Sequence, residues 1–168
     1  PEKLAFALRG RREDGERLSD HETRTARRAF YALCTHIDHQ IRVIIGTLRE
    51  EGLLDNTIIL FSSDHGDMLG KHGLWGKRLF YEESAQIPMI LCGTAAQQAQ
   101  IGNDQIDTRL VGWQDVMPTL LTMAGLQVPD TVEGISMVGE SSRSHLYGEM
   151  GEGATATRMI HDGRHKLI

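Results

Sequence analysis

Asp64 and His65 stand directly behind the apolar run Thr57-Ile58-Ile59-Leu60-Phe61-Ser62 and directly ahead of Gly66. A carboxylate and an imidazole in succession offer an oxygen and a nitrogen donor to one cation. The oxygen suits a hard ion, Ca²⁺ first and Mg²⁺ as an alternative. The nitrogen admits Mn²⁺. A buried strand ending in this pair would present both donors at the carboxyl edge of a sheet, where open α/β folds keep their sites. Gly66 lets the backbone turn away at once. Lys77 follows in Lys71-His72-Gly73-Leu74-Trp75-Gly76-Lys77, and a cation beside a delivered ammonium is a setting for an anionic ester.

Each of these residues also has a plainer reading. Asp64 can cap a turn after the strand, and Lys77 can be a solvated surface lysine. His72 can touch substrate and, as an imidazole, exchange a proton with a leaving group, or it can pin its loop to backbone. Asp67 is expected to accept hydrogen bonds from loop amides rather than to bind metal.

The elements that must hold these residues follow from capping and periodicity. Ser19-Asp20-His21-Glu22 fits a capping box. Phe30, Leu33, Ile37, Ile41, Ile44, Ile45 and Leu48 recur at steps of three and four, one apolar stripe of a long helix with its face in the core. Gly52 is the expected left-handed stop. The strand 57–62 is apolar on both faces, as a central parallel strand covered by helices would be. A loop spans 63–78, a short helix 79–84, and a second buried strand Ile87–Cys92. Residues 1–18 read as irregular and 93–107 as a surface excursion. Asp115 is expected to cap a helix with Pro118 in its first turn, with Val116, Met117, Leu120, Leu121 and Ala124 buried and Gly125 at its end. After a loop over 128–144, His145–Glu149 and Thr157–Ile160 are strand candidates. Asp162-Gly163 predicts a hairpin of 157–161 with 164–168.

Composition narrows the class. With 40% hydrophobic and 24% charged residues and a net charge of −5, the chain is a globular protein without the clustered cations that a nucleic-acid partner requires. The clusters Arg9-Gly10-Arg11-Arg12 and Arg27-Arg28 are offset by nearby acids and read as solvated surface. No stretch approaches the ~20 apolar residues of a membrane span. Cys34 and Cys92 lie in apolar contexts and read as small buried hydrophobes. His36 and His39, one helical turn apart, lack a third ligand and read as surface groups. His161 and His165 flank the hairpin turn. Both ends of the chain read as cut, and a truncated sheet with unpaired edges is expected to self-associate into a homo-oligomer.

A wider set of residues resembles the sulfatases. Leu53-Leu54-Asp55-Asn56-Thr57-Ile58-Ile59, Ser63-Asp64-His65-Gly66-Asp67-Met68-Leu69-Gly70, His72-Gly73-Leu74-Trp75-Gly76-Lys77, Tyr81-Glu82-Glu83-Ser84 and Asp115-Val116-Met117-Pro118-Thr119-Leu120-Leu121 occur in that order in the family. The likeness is nearest to the arylsulfatase, choline sulfatase and phosphonate monoester hydrolase branch of the alkaline phosphatase superfamily, and it spans about residues 20–168. It implies that Asp64 and His65 bind one divalent cation, usually Ca²⁺ and sometimes Mn²⁺, and that Lys77 contacts the ester oxygens. It also implies a formylglycine nucleophile made from the Cys of Cys-x-Pro-x-Arg. Neither Cys34 nor Cys92 stands in that motif, so the nucleophile is expected upstream and the segment alone is expected to be inactive.

The expected fold is thus α/β: a mixed, largely parallel sheet flanked by helices, truncated at both ends. Residues 1–144 would form the later part of a catalytic domain, and 145–168 would start a smaller antiparallel region. The expected activity of the parent is metal-dependent hydrolysis of a small-molecule sulfate ester. Two alternatives stand beside it: a phosphonate monoester or phosphodiester hydrolase of the same superfamily, and a non-catalytic binding or scaffolding fragment. The compartment, cytoplasmic or periplasmic, stays open.

Overall fold

Ser19 opens the first helix by the reciprocal bonding that its spacing from Glu22 allows. The Glu22 amide donates to the Ser19 hydroxyl at 3.3 Å, and the Ser19 amide donates to the Glu22 carboxylate at 2.8 Å. Such a cap is worth about 1 kcal/mol. The helix, α1, runs Asp20–Glu50. It stops where the sequence places a residue able to turn left-handed: Gly52 has φ 69°, its amide donates to the Arg49 carbonyl, and the Leu53 amide donates to the Leu48 carbonyl at 2.8 Å. In this computed structural model, residues 17–94, 96–97, 101–102 and 104–168 are described. The expected irregular start lies mostly outside them, as does part of the 93–107 excursion.

The chain divides into two compact units, Pro1–Leu54 with Ser63–Pro88, and Asp55–Ser62 with Met89–Ile168. The first holds α1, the long loop that follows Ser62, and the short helix α2 (Glu82–Ala85). Among its described residues, Met68 and Ser84 are buried. The apolar stripe of α1 exists, but its expected place in a core does not follow among the described residues. Phe30, Ile41, Ile45 and Leu48 are half-buried, whereas Leu33, Ile37 and Ile44 are 65%, 51% and 60% exposed. Periodicity tells which residues share a face. It does not supply the surface that covers them.

In the second unit β1 (Ile59–Ser62) pairs antiparallel with β2 (Met89–Cys92), Ile59 opposite Cys92 and Ser62 opposite Met89. The largely parallel sheet expected from the apolar runs is not found: every strand pairing among the described residues is antiparallel. An apolar pattern reports coverage, while strand direction is set by the path of the intervening chain. Cys34 and Cys92 are exposed, contrary to the expected burial. The hairpin reading holds: β3 (Leu146–Met150), β4 (Thr157–His161) and β5 (Lys166–Leu167) form an antiparallel sheet in that order, and β4 turns into β5 at Asp162-Gly163.

A turn over Trp113–Asp115 leads into α3 (Val116–Met123), which Gly125 ends at φ 72°. The buried face of α3 is not the expected one. Asp115, Pro118, Thr119 and Met123 are buried, while Met117 and Leu120 are exposed. Asp115 stands at the N-cap of α3 as expected, but its side chain makes no capping bond. Its carboxylate accepts from the Gly112 amide at 2.8 Å, from the Ile135 amide at 2.9 Å, and from the Arg143 guanidinium. The Thr119 hydroxyl donates to the Asp115 carbonyl and accepts from the Met137 amide at 2.8 Å. A carboxylate excluded from water must be fully hydrogen-bonded, and that requirement rotates the helix toward the 134–143 segment.

Candidate metal and anion site

The loop after Ser63 closes on itself through side chains near its own start. The Asp67 carboxylate accepts from the Leu69 amide at 2.8 Å and from the Gly76 amide at 3.3 Å, as its expected role in the loop requires. The Met68 amide donates to the Gly76 carbonyl at 2.8 Å, and the Gly70 amide to the Leu74 carbonyl at 2.8 Å. Gly66 passes against α2 so closely that a Cβ there would overlap the Glu83 carbonyl oxygen, and its amide donates to the Ser84 carbonyl. The loop holds strained backbone: Leu69, His72 and Arg78 have φ 45°, 54° and 74°. Each such residue costs about 1 kcal/mol or more and persists only where its surroundings enforce it.

These constraints bring three of the four expected site residues to one point. His65 Nδ1 lies 2.7 Å from the Gly66 carbonyl oxygen. A carbonyl only accepts, so Nδ1 carries a ring proton and Nε2 is the nitrogen turned outward. Nε2 lies 2.5 Å from Lys77 Nζ and 3.1 Å from Asp64 Oδ2. The His65 amide donates to Asp64 Oδ1 at 2.9 Å, and the Ser63 hydroxyl donates to the His65 carbonyl at 2.8 Å. Around the Asp64 carboxyl, loss of water pushes its pKa up. The His65 amide and the electrostatic influence of His65 and Lys77 outweigh that effect, so the group is held below the ordinary aspartate value. Its side chain is 77% exposed, open to a ligand from solvent.

Asp64 and His65 fit a divalent cation in chemistry and spacing. The Nδ1–H···O=C bond of His65 is the arrangement that aims Nε2 of a metal-binding histidine. The two donors stand 3.1 Å apart, near enough that they would share one such cation. Two donors do not complete a coordination shell, and no cluster of three or more His, Cys, Asp or Glu suited to a metal occurs among the described residues. His72 is placed differently. Its ring packs on Tyr81 with centroids 5.2 Å apart, while Lys71 beside it pairs with Glu83 at 3.5 Å. Those contacts tie the tip of the loop to α2.

Against this geometry the comparisons with known proteins read consistently. The sulfatase family model matches residues 9–126. The arylsulfatase of Clostridium perfringens is 35% identical over 153 residues, covering 85% of this chain and 31% of that protein. The choline-sulfatase of Rhizobium meliloti is 35% identical over 124 residues, covering 72% of this chain and 23% of that protein. Among solved structures, the phosphonate monoester hydrolase of Silicibacter pomeroyi superposes with a TM-score of 0.79 at 25% identity, covering 89% of this chain and 33% of that chain. The chain belongs to the sulfatase family, and its fold is the alkaline phosphatase-like fold of these neighbours. It spans about a third or less of the length of the relatives it matches.

Two groups of residues escape sequence reasoning. Arg27, read as solvated surface, donates from Nε to the Leu69 carbonyl at 2.7 Å in a half-buried contact. Arg109 donates to both oxygens of Asp107 and to the carbonyls of Met137, Gly139 and Ser141. Each acts mainly on backbone carbonyls, which no residue pattern marks.

Proposed function

We propose that this chain is part of a metal-dependent sulfuric ester hydrolase acting on small-molecule sulfate esters. The observation that carries the reading is the meeting of Asp64 Oδ2, His65 Nε2 and Lys77 Nζ within 3.1 Å of a common centre at Nε2. The names of the curated relatives support sulfate as the esterified anion. Asp64 and His65 would hold one divalent cation, with Ca²⁺ first and Mn²⁺ or Mg²⁺ as alternatives. When bound, that cation supplies Lewis-acid polarisation of an ester oxygen. Lys77 would stabilise negative charge developing on the ester oxygens. His72, set against Tyr81, would act at the edge of this cluster, protonating a leaving group or holding the loop tip. The nucleophile, a formylglycine in the resembled family, is assigned to parts of the parent outside these residues.

A second reading has its own support in the solved phosphonate monoester hydrolase. Sulfate and phosphonate monoesters both bring a tetrahedral anion to the same donors, so this segment favours neither by charge alone. The decisive measurement is the ratio of kcat/KM for an aryl sulfate and an aryl phosphonate monoester, made on the full-length parent loaded with Ca²⁺ or Mn²⁺. A ratio in favour of sulfate is the expected result, and a preference for phosphonate would move the assignment to the second reading. No turnover of either ester by a parent that carries its nucleophile would remove both.

A further inference from the structure

The geometry points to Arg27 as a positioning residue for Lys77, an inference that rests on the anion-site reading above. Arg27 sits on the second turn of α1, outside every motif. A surface arginine kept for solubility leaves its guanidinium in water, whereas this one is half-buried and its Nε–H donates to the Leu69 carbonyl at 2.7 Å. Leu69 is where an outside hold has most effect. Its φ of 45° is left-handed, a region a non-glycine residue leaves unless held. A guanidinium donor makes a stronger bond to that carbonyl than a neutral group would.

From Leu69 the connection to Lys77 is short. The Leu69 amide donates to Asp67 Oδ1, and the same oxygen accepts from the Gly76 amide. The Gly76 carbonyl accepts from the amide of Met68, and Lys77 is the next residue in the chain. The same helix makes a second contact one turn earlier: the Thr23 methyl lies 3.4 Å from where a Cβ on Gly70 would stand, beside the Trp75 ring at 3.2 Å. Releasing Leu69 frees the stitch at Gly76, and with it the point from which the Lys77 ammonium reaches His65. Arg27 touches neither substrate nor cation in this scheme. It acts through the loop.

The test is a double-mutant cycle on kcat in the full-length parent, with Arg27→Ala, Lys77→Ala and the double variant, beside thermal unfolding of each. Arg27→Ala is expected to lower kcat by roughly ten- to a hundredfold, the scale of a small misplacement of a reacting group. KM should hold, because Lys77 acts on charge developing in the transition state. Arg27→Lys, which keeps a charged donor, should recover part of the loss. On the Lys77→Ala background the effect of Arg27→Ala should nearly vanish. An equal loss on both backgrounds would make Arg27 a general structural residue and overturn the inference, as would an unchanged kcat in Arg27→Ala. If Lys77→Ala itself leaves kcat untouched, the anion-site reading fails with it; if Lys77→Ala costs activity and Arg27→Ala does not, the inference alone fails. Should Arg27→Ala not fold, Arg27→Gln and Arg27→Lys carry the same comparison.

Discussion

Two aspartates, each at a junction between an apolar element and a loop, meet opposite fates. Asp64 keeps most of its side chain in water, and its neighbours are a histidine ring nitrogen and a lysine ammonium. Asp115 is 0% exposed, and every bond its carboxylate makes runs to a fixed group: two backbone amides and Arg143. The first cluster leaves donor capacity facing solvent, so a ligand can enter it. The second is saturated and offers nothing to bind. Reactivity belongs where electrostatics is left incomplete, and rigidity where it is closed.

The sharpest way to break this contrast is to remove each carboxylate from the parent and compare activity with stability. Asp64→Ala is expected to abolish metal-supported turnover, while the thermal unfolding midpoint without metal stays close to that of the unaltered chain, as for other exposed positions. Turnover surviving at saturating substrate would take Asp64 out of the ligand set. Asp115→Ala should do the reverse. It strands the Arg143 guanidinium and two amides, a loss on the order of 3–5 kcal/mol for a broken buried pair. Urea unfolding should show the shift, while kcat per folded molecule stays level.

Gly66→Ala probes the boundary between the two behaviours, since it changes no charge. The added methyl meets the Glu83 carbonyl, so α2 and the loop must separate. A destabilisation of about 1–3 kcal/mol is expected, together with weaker metal binding by calorimetry because His65 bonds to the Gly66 carbonyl. Unchanged metal affinity would show that α2 does not hold the ligand pair.

The smallest effect belongs to Asp162 at the β4–β5 turn. The His165 and Arg164 amides, and the His165 ring, hold its carboxyl well below the ordinary aspartate range. A depressed folded-state pKa contributes stability above the unfolded value of 3.8 and loses it as pH falls through the folded value. Hydrogen-exchange protection of the Arg164 and His165 amides, measured relative to their intrinsic rates, should therefore fall in acid, below about pH 4. Asp162→Asn should remove that dependence. An identical acid limb in the variant would place the titration elsewhere.

Much of the local structure was legible beforehand because short-range chemistry decides it. The Ser19–Glu22 cap, the Gly52 and Gly125 stops and the Asp162-Gly163 hairpin each depend on residues within a few positions. The candidate site was legible for another reason: Asp64, His65 and Lys77 stand in a pattern whose order resembles a family. The role of Arg27 was not legible, since its partner is a carbonyl 42 residues away. Nor was the buried face of α3, where hydrophobicity favoured Met117 and Leu120 and the hydrogen-bonding demand of Asp115 prevailed.

By itself the sequence determined where α1 begins, where α1 and α3 end and where the β4–β5 hairpin turns, and it marked side chains whose chemistry suits a cation and an anionic ester. Those properties live in single residues and their near neighbours. Only the tertiary structure decided that β1 and β2 run antiparallel, that His65 aims Nε2 at Lys77 and Asp64, and that Asp115 is sealed while Asp64 stays open. Direction and burial arise from groups brought together across long stretches of chain, where no local pattern reaches.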